Sequence, residues 1–243
     1  IQTDLYIQSI NLKNYYEHAS QSMREYLSNP KVEITQKFQK VYVLANNLTK
    51  SFFEDKASPN ILKSSPEVIE LLKSCLKNEE LIDKGLQKLV SKDYRTYTHS
   101  INVGLYCMAY GIKSGFPSDR VSELGLGGML HDVGQIKIDD NITNKPDRLN
   151  DDEFGAIKKH TQYGKSILEK LECFDGNIIQ IVEQHHENCD GSGYPEGIKG
   201  DQISNFTKIC AIADIYDTLV SYRNYGKQEE PFDAFNLIKE ENK

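Results

Sequence analysis

The feature that most constrains the fold of this chain is the absence of strand patterns from its sequence. None of the 243 residues belongs to a Val-, Ile- or Thr-rich run that alternates apolar and polar side chains between hairpin turns. Apolar residues recur instead at helical spacing, most clearly over residues 32–54 and 66–91. The sequence therefore predicts an all-α fold.

Local signals mark where several of these helices begin and end. The Ser-Pro-Glu sequence at residues 65–67 is typical of a helix start, because Pro suits the first turn and an acid suits the positive end of the helix dipole. Asn150 and Glu153 resemble a capping box. The segment Asp190–Gly200 is rich in Gly and predicts a loop.

Apolar residues seven apart, from Leu5 through Leu12 and Ala19 to Tyr26, indicate an N-terminal helix. One interpretation is a signalling or dimerising helix that leads from an upstream domain. The other is a helix packed on its own domain. We favour the second, because Ala and Tyr are weak residues in a coiled-coil seam.

Composition excludes several classes of protein. Hydrophobic residues make up 38% and charged residues 27% of the chain, as in folded globular proteins. A net charge of −7 argues against binding to long nucleic acids, and the short apolar runs argue against membrane insertion. The five cysteines are odd in number and lack Cys-x-x-Cys spacing, so we expect a reduced, cytoplasmic chain. The chain begins with Ile1 rather than Met, and we expect further sequence upstream.

Histidines and carboxylates form the most informative chemical pattern. Five of the six histidines lie in distinctive contexts, and two carboxylates follow in Ala-Asp-Ile-Tyr-Asp at residues 213–217. Imidazoles and carboxylates are the ligands of Zn, Mn, Fe, Co and Ni, and the lack of thiolates disfavours a structural zinc. If His185 and His186 share a helix, they point about 100° apart, which suits two ions better than one. Asp132, with two oxygens, could then bridge a pair. These residues indicate a binuclear site without proving one.

Two segments carry a resemblance to a known family. Residues 131–134, His-Asp-Val-Gly, resemble the His-Asp-Ile-Gly motif of the HD-GYP family, and residues 185–195 match the HD-GYP signature at every defining position. The similarity extends over roughly residues 93–225. It implies the helical core of the HD superfamily, preceded here by N-terminal helices. We therefore divide the chain into an N-terminal helical segment, 1–88, and a catalytic domain, 89–243, whose C-terminal end we expect to be truncated.

The resemblance also implies an activity and a set of site residues. Family members hydrolyse cyclic di-GMP to the linear dinucleotide and in some cases to GMP, and others prefer cyclic GMP-AMP. The implied cofactor is two divalent transition-metal ions, Fe or Mn, with Asp132 as the catalytic residue. The implied metal ligands are His99, His131, Asp132, His160, His185, His186 and Asp214. The implied substrate-binding residues are Gln135, Lys145, Tyr194, Asp217 and Arg223.

The sequence departs from the family pattern at four positions. Gln135 stands where Lys is usual, Asp139 where Pro is common, and Gly226 where a basic residue is usual. Arg95 replaces the carboxylate that members with a third metal carry one turn before His99, so we expect two ions rather than three.

Two other functions remain open on the sequence alone. The loss of cations at Gln135 and Gly226 favours a metal-binding sensor or interaction module that turns over cyclic dinucleotide weakly or not at all. A nucleotide phosphohydrolase of the HD type is disfavoured by the intact Gly-Tyr-Pro sequence at residues 193–195. We also expect an upstream sensory domain and a protein partner at the Gly-Tyr-Pro loop.

Overall fold

Helices form the regular structure of the chain, as the sequence predicts. The computed structural model describes residues 11–53, 58–78, 81–82, 86, 96–143, 145, 147–221 and 229–240, and no strand occurs in these ranges. The helices are α1 (Leu12–Ser28), α2 (Ile34–Phe53), α3 (Ser65–Leu76), α4 (Thr96–Lys113), α5 (Ser118–Leu130), α6 (Asp140–Thr143), α7 (Asp151–Lys158), α8 (His160–Leu171), α9 (Gly176–Gln184), α10 (Asn205–Val220) and α11 (Pro231–Glu240). Short 3₁₀ helices lie at Pro59–Ser64, Val133–Lys137 and Gly200–Gln202.

The predicted helix starts are confirmed. At α7 the Asn150 side chain accepts a hydrogen bond from the Glu153 amide at 2.9 Å. The Glu153 carboxylate in turn accepts one from the Asn150 amide at 2.9 Å, which completes the capping box. Helix α3 begins at Ser65 with Pro66 in its first turn. The segment Asp190–Gly200 is a loop apart from its last residue, as its glycines indicate.

One hydrophobic core joins the N-terminal helices to the histidine-bearing helices. Phe38, Leu48 and Phe52 of α2 are fully buried and belong to the same cluster of apolar side chains as Leu105 of α4 and Val182 of α9. Burying one such side chain contributes about 2 kcal/mol relative to leaving it in water. Because the core is shared, the position of α2 is tied to the helices that carry the site.

Helix α1 packs on its own domain, which is the interpretation that we favoured for the heptad pattern. Tyr16 is buried in the shared core, and Leu12, Ala19 and Met23 pack against that core. Leu5 lies outside the described residues, as do residues 87–95, so the domain boundary near residue 88 stays a prediction. No helix in the described part of the chain has the length and apolarity needed to cross a bilayer.

The fold brings several helix ends to one place. The chain turns sharply after α5, and Gly134 in the following 3₁₀ helix lies against the first turn of α8. A Cβ atom at Gly134 would overlap the carbonyl oxygen of His160 and would lie 2.5 Å from the amide nitrogen of Gly164. Only glycine lets these two backbone segments approach so closely, and this approach places Asp132 beside His160.

Replacing Gly134 with Ala should therefore destabilise the fold. The new methyl group meets backbone rather than a flexible side chain, and overpacking of that kind costs about 3 kcal/mol. Gly155→Ala is a matched control: its Cβ meets nothing within 4 Å, and α7 should gain about 0.5–1 kcal/mol. Urea denaturation measures both changes. Equal stability of the two variants would contradict the close approach at Gly134.

Candidate metal centre

The structure brings together all seven side chains that the family motif implies as metal ligands. All seven belong to three groups, and within each group the nitrogen or oxygen atoms lie within 4.8 Å of one another. The groups are His160, His185 and His186; His99, His131 and Asp214; and His131, Asp132 and His185. The third group shares one residue with each of the other two, so the clusters form one continuous site.

Most of these residues lie at or near helix ends. His131 directly follows α5, His160 is the first residue of α8, and His185 directly follows α9. His99 lies in the first turn of α4, whereas Asp214 lies within α10. His185 and His186 do not share a helix, because α9 ends at Gln184 and both histidines occupy the turn beyond it. Their two imidazoles lie 4.2 Å apart between ring centroids.

Three of the imidazoles are oriented by backbone carbonyl groups. Nδ1 of His131 lies 2.7 Å from the carbonyl oxygen of Gly128, and Nδ1 of His160 lies 2.7 Å from that of Ile157. Nδ1 of His185 lies 3.1 Å from the carbonyl oxygen of Val182. Since a carbonyl oxygen only accepts, each Nδ1 carries the proton and donates it. When such a ring is neutral, as a metal ligand must be, its Nε2 has a lone pair directed toward Asp132.

These Nε2 atoms converge in a way that fits a bound cation. Nε2 of His160 lies 3.2 Å from Nε2 of His185 and 3.3 Å from Oδ1 of Asp132. Two imidazole nitrogens that both lack a proton cannot hydrogen-bond to each other, so their lone pairs repel unless a cation lies between them. Nε2 of His131 approaches the other carboxylate oxygen, Oδ2, at 3.4 Å. The donor set is therefore suited to divalent metal ions that take nitrogen and oxygen ligands.

His99 lies between two carboxylates of α10. Its Nε2 is 3.0 Å from Oδ1 of Asp214, and its Nδ1 is 2.7 Å from Oδ2 of Asp217. Asp214 and Asp217 are three residues apart on the helix and so project to the same side. Asp214 is 14% exposed, whereas Asp217 is completely buried.

The pKa values show a pocket with a strong negative potential around Asp132 and Asp214. Burial would lower the pKa of His99, but hydrogen bonds with Asp214 and Asp217 outweigh it and raise the pKa to about 10. Burial likewise opposes the charge of His131, and the attraction of Asp132 raises its pKa to about 9. The surrounding histidines overcome the effect of burial on Asp132 and hold its pKa well below the usual value. The site attracts positive charge, either as protons or as metal ions.

His185 and His186 behave in the opposite way. Burial lowers the pKa of His186 to about 4, and burial together with the neighbouring imidazoles lowers that of His185 well below its usual value. Both side chains are therefore neutral at pH 7 and ready to act as ligands without losing a proton.

The Gly-Tyr-Pro loop covers one side of the histidine cluster. The Tyr194 ring stacks on His186 with centroids 4.7 Å apart, and the Tyr194 amide donates to the carbonyl oxygen of His186. The Glu187 carboxylate accepts hydrogen bonds from the amides of Glu196 and Gly197 at 2.7 and 3.0 Å. These contacts hold Tyr194 against the cluster.

The predicted substrate-binding residues have different positions in the structure. Tyr194 lies at the histidine cluster, and Gln135 is half-buried just beyond Asp132. Lys145 forms an ion pair with Glu153 at 2.8 Å. Asp217 is a correction: it is fully buried behind His99, so it orients that ligand instead of lining the substrate surface. Arg223 lies outside the described residues, as do Arg95 and Gly226.

Sequence reasoning missed two residues near the site. The ammonium group of Lys158 lies 5.2 Å from the centroid of the Tyr194 ring and 4.6 Å from that of Phe154. Lys158 stands two residues before the predicted ligand His160 in the sequence. This short spacing could have indicated that Lys158 lies near the site. Asn102 donates to Asp217 at 3.0 Å. Asn102 follows His99 by three residues on the same helix. This spacing could have indicated that the two side chains lie on one side of the helix.

Comparison with known proteins agrees with the geometry. The profile of the HD domain family matches residues 76–243. A cyclic di-GMP phosphodiesterase of Pseudomonas aeruginosa is 35% identical over 158 residues, which cover 65% of this chain and 38% of that protein. A 3′3′-cGAMP-specific phosphodiesterase of Vibrio cholerae is 35% identical over 165 residues, 67% of this chain and 35% of that protein. The chain thus spans less than half the length of these relatives.

A solved structure has the same fold. It is that of a HDG"Y"P protein of Bdellovibrio bacteriovorus, with a TM-score of 0.73 and 19% identity over 98% of this chain and 78% of the other. The family profile covers more than half of the chain, and the signature residues surround the site described above. The chain therefore belongs to the HD domain family and, by its motifs, to the HD-GYP members of that family.

Proposed function

We propose that this chain is a metal-dependent phosphodiesterase that hydrolyses cyclic di-GMP to the linear dinucleotide; further cleavage to GMP, as in some family members, stays a prediction. The observation that carries the proposal is the pair of ligand groups joined through Asp132. Paired ions about 3.5–4 Å apart are a recurring arrangement for phosphodiester hydrolysis. Relatives named as cyclic di-GMP phosphodiesterases support the substrate class.

The proposed cofactor is two divalent transition-metal ions, Fe or Mn. One would be held by His99, His131 and Asp214, and the other by His160, His185 and His186, with Asp132 shared between them. Mixed imidazole and carboxylate ligands without thiolates favour these metals over a structural zinc. Bound ions of this kind supply Lewis-acid neutralisation of a phosphodiester and make water more acidic.

The protein's own residues would orient the reaction. Asp132 stays ionised because of its histidine neighbours, so it is able to accept a proton or hydrogen bond at the centre of the site. Tyr194 presents an aromatic face beside His186, where a guanine base could stack. Asp132 is our candidate catalytic residue, and Tyr194 belongs to the proposed substrate surface with Gln135 and Arg223.

A cation near the substrate phosphate is needed because Gln135 has no charge. The Lys145 ammonium group donates to both carboxylate oxygens of Glu153 at 2.8 Å, so it contacts the first turn of α7. Lys158 is better placed, since it lies over Tyr194 and is therefore close to the histidine cluster. We propose that Lys158 supplies the charge-assisted hydrogen bond that Lys at position 135 provides elsewhere in the family.

Cyclic GMP-AMP is the second candidate substrate. One relative of Vibrio cholerae named as a 3′3′-cGAMP-specific phosphodiesterase is 35% identical to this chain, as is the cyclic di-GMP phosphodiesterase of Pseudomonas aeruginosa. A sensor with weak or no turnover is the further alternative, favoured by Gln135 and Gly226. An upstream sensory domain and a protein partner at the Gly-Tyr-Pro loop remain predictions, as does a cytoplasmic location.

The proposal is tested by incubating Mn²⁺-loaded protein with cyclic di-GMP, cyclic GMP-AMP and a mononucleotide, followed by chromatography of the products. We expect a linear dinucleotide from at least one cyclic dinucleotide and no change in the mononucleotide. Full metal loading with all three compounds intact would contradict the enzyme and favour the sensor.

Matched variants show whether the observed activity arises from this site. Asp132→Ala removes the carboxylate that joins the two groups, so metal content and activity should fall together.

Lys158→Gln should keep its metal and raise KM about ten-fold, because a hydrogen bond to a charged group contributes about 1.5 kcal/mol. Cys189→Ala is the control, since Cys189 lies inside the signature but is exposed and absent from the ligand groups of the described residues. Loss of metal in Cys189→Ala would show that the ligand set is wrong.

Metal binding should release protons, and the raised pKa values of His99 and His131 predict how many. His99 and His131, with pKa values of about 10 and 9, are both protonated at pH 7.5 in the ion-free protein. A ligand nitrogen must lose its proton, so binding two Mn²⁺ ions should release about two protons per chain. Affinity should therefore rise as pH increases from 6.5 toward 9, because fewer protons compete.

Calorimetric titration of Mn²⁺ in buffers with different ionisation enthalpies measures the proton count. Release of less than about half a proton per chain would contradict the predicted exchange of ions for protons at His99 and His131. His185 and His186 contribute no protons to this count, since both are neutral at this pH.

A further inference from the structure

A line of buried hydrogen bonds leads from His99 away from the ligand groups and into the N-terminal helices. Nδ1 of His99 lies 2.7 Å from Oδ2 of Asp217. The other oxygen of Asp217, Oδ1, accepts a hydrogen bond from the side-chain NH₂ group of Asn102 at 3.0 Å. The Asn102 side-chain oxygen accepts in turn from the Tyr42 hydroxyl at 2.8 Å. Tyr42 belongs to α2, Asn102 to α4 and Asp217 to α10, so three separate helices contribute to the line.

The direction of each hydrogen bond follows from its neighbour. The Tyr42 hydroxyl donates to Asn102, so the amide oxygen of Asn102 faces Tyr42 and its NH₂ group faces Asp217. Asp217, as a carboxylate, only accepts and therefore holds the proton of His99 on Nδ1. When His99 is neutral, as an ion-binding imidazole must be, the lone pair on its Nε2 is directed at Asp214 and the proposed metal position.

Because these hydrogen bonds are buried, the loss of any one of them is energetically unfavourable. Asp217 is 0% exposed, Asn102 is 1% exposed and Tyr42 is 6% exposed, so water does not readily replace a missing partner. A buried polar group without a partner is unfavourable, and the neighbouring side chain is free to rotate away from its native orientation. The orientation of Asp217, and through it that of His99, thus depends on Asn102 and Tyr42.

We propose that Tyr42 and Asn102 are positioning residues of the metal centre, which act through Asp217 to fix the proton and ring orientation of His99. This inference rests on the proposed function, because it requires that His99 bind an ion. It goes further by assigning a role to α2, which lies in the N-terminal segment. The hydrogen bonds from Tyr42 connect α2 to the ligand group of His99 and not to the group of His160, His185 and His186.

Tyr42→Phe tests the inference, because it removes one hydroxyl oxygen and leaves the ring in the core. Equilibrium dialysis with Mn²⁺, followed by metal analysis, gives the affinity of each ion in the absence of substrate. One of the two ions should bind about ten-fold more weakly, at the low end of the 10–100-fold losses seen when a ligand loses its outer hydrogen-bond partner. The other ion should be unaffected.

Tyr16→Phe is the matched control. Tyr16 is also a buried tyrosine of the N-terminal helices, and its hydroxyl lies 3.3 Å from Oγ of Ser51, outside the line to His99. Both variants should have similar melting temperatures, but only Tyr42→Phe should lose metal affinity. The visible spectrum of Co²⁺-loaded protein should change in Tyr42→Phe and not in Tyr16→Phe, because it reports ligand geometry.

Asn102→Ala provides a second test of the line. It removes both the acceptor for Tyr42 and the donor to Asp217, so affinity for one ion should fall about 100-fold. If wild-type protein binds two ions and Tyr42→Phe binds both as tightly as Tyr16→Phe does, the inference is wrong and the metal centre stands. If wild-type protein binds no Mn²⁺, the proposed metal centre itself is wrong.

Discussion

The buried negative charge of Asp132 is the constraint on which the rest of the site depends. A carboxylate that is only 6% exposed is strongly unfavourable unless cations surround it. Here His131, His160 and His185 present nitrogen atoms to it at 3.3–4.0 Å. In the ion-free protein a proton on His131 supplies part of the compensation, and divalent ions would supply more. Proton binding and metal binding are therefore alternative ways of neutralising the same charge.

The helical architecture explains how so many imidazoles converge. A histidine at the end of a helix can donate Nδ1–H to a carbonyl oxygen of the preceding turn, and His131, His160 and His185 all do so. The same hydrogen bond satisfies a backbone acceptor and directs Nε2 outward, so no additional side chain is needed for orientation. His99 lies in the first turn of its helix, and a carboxylate of α10 orients it instead. This difference makes the His99 side of the site sensitive to the packing of α2, α4 and α10.

The sequence predicted the fold class, and it indicated the seven side chains that the structure brings together, because both depend on local or motif-level patterns. Helical spacing, the capping box at Asn150 and the paired histidines can all be read over a few residues. No local pattern indicates that Asp217 contacts His99, since the two residues are 118 positions apart in the sequence. The Tyr42–Asn102 contact spans 60 residues and has no local signature either. The end of α9 before His185 could not be predicted either, because no Gly or Pro marks it.

The most direct test of the account is anomalous diffraction from crystals of the Mn²⁺-loaded protein, recorded at the manganese absorption edge. The account predicts two peaks per chain, on either side of the Asp132 carboxylate. One should contact His99, His131 and Asp214, and the other His160, His185 and His186. A single peak, or peaks that leave Asp132 without a metal contact, would contradict the shared carboxylate on which the proposed function depends.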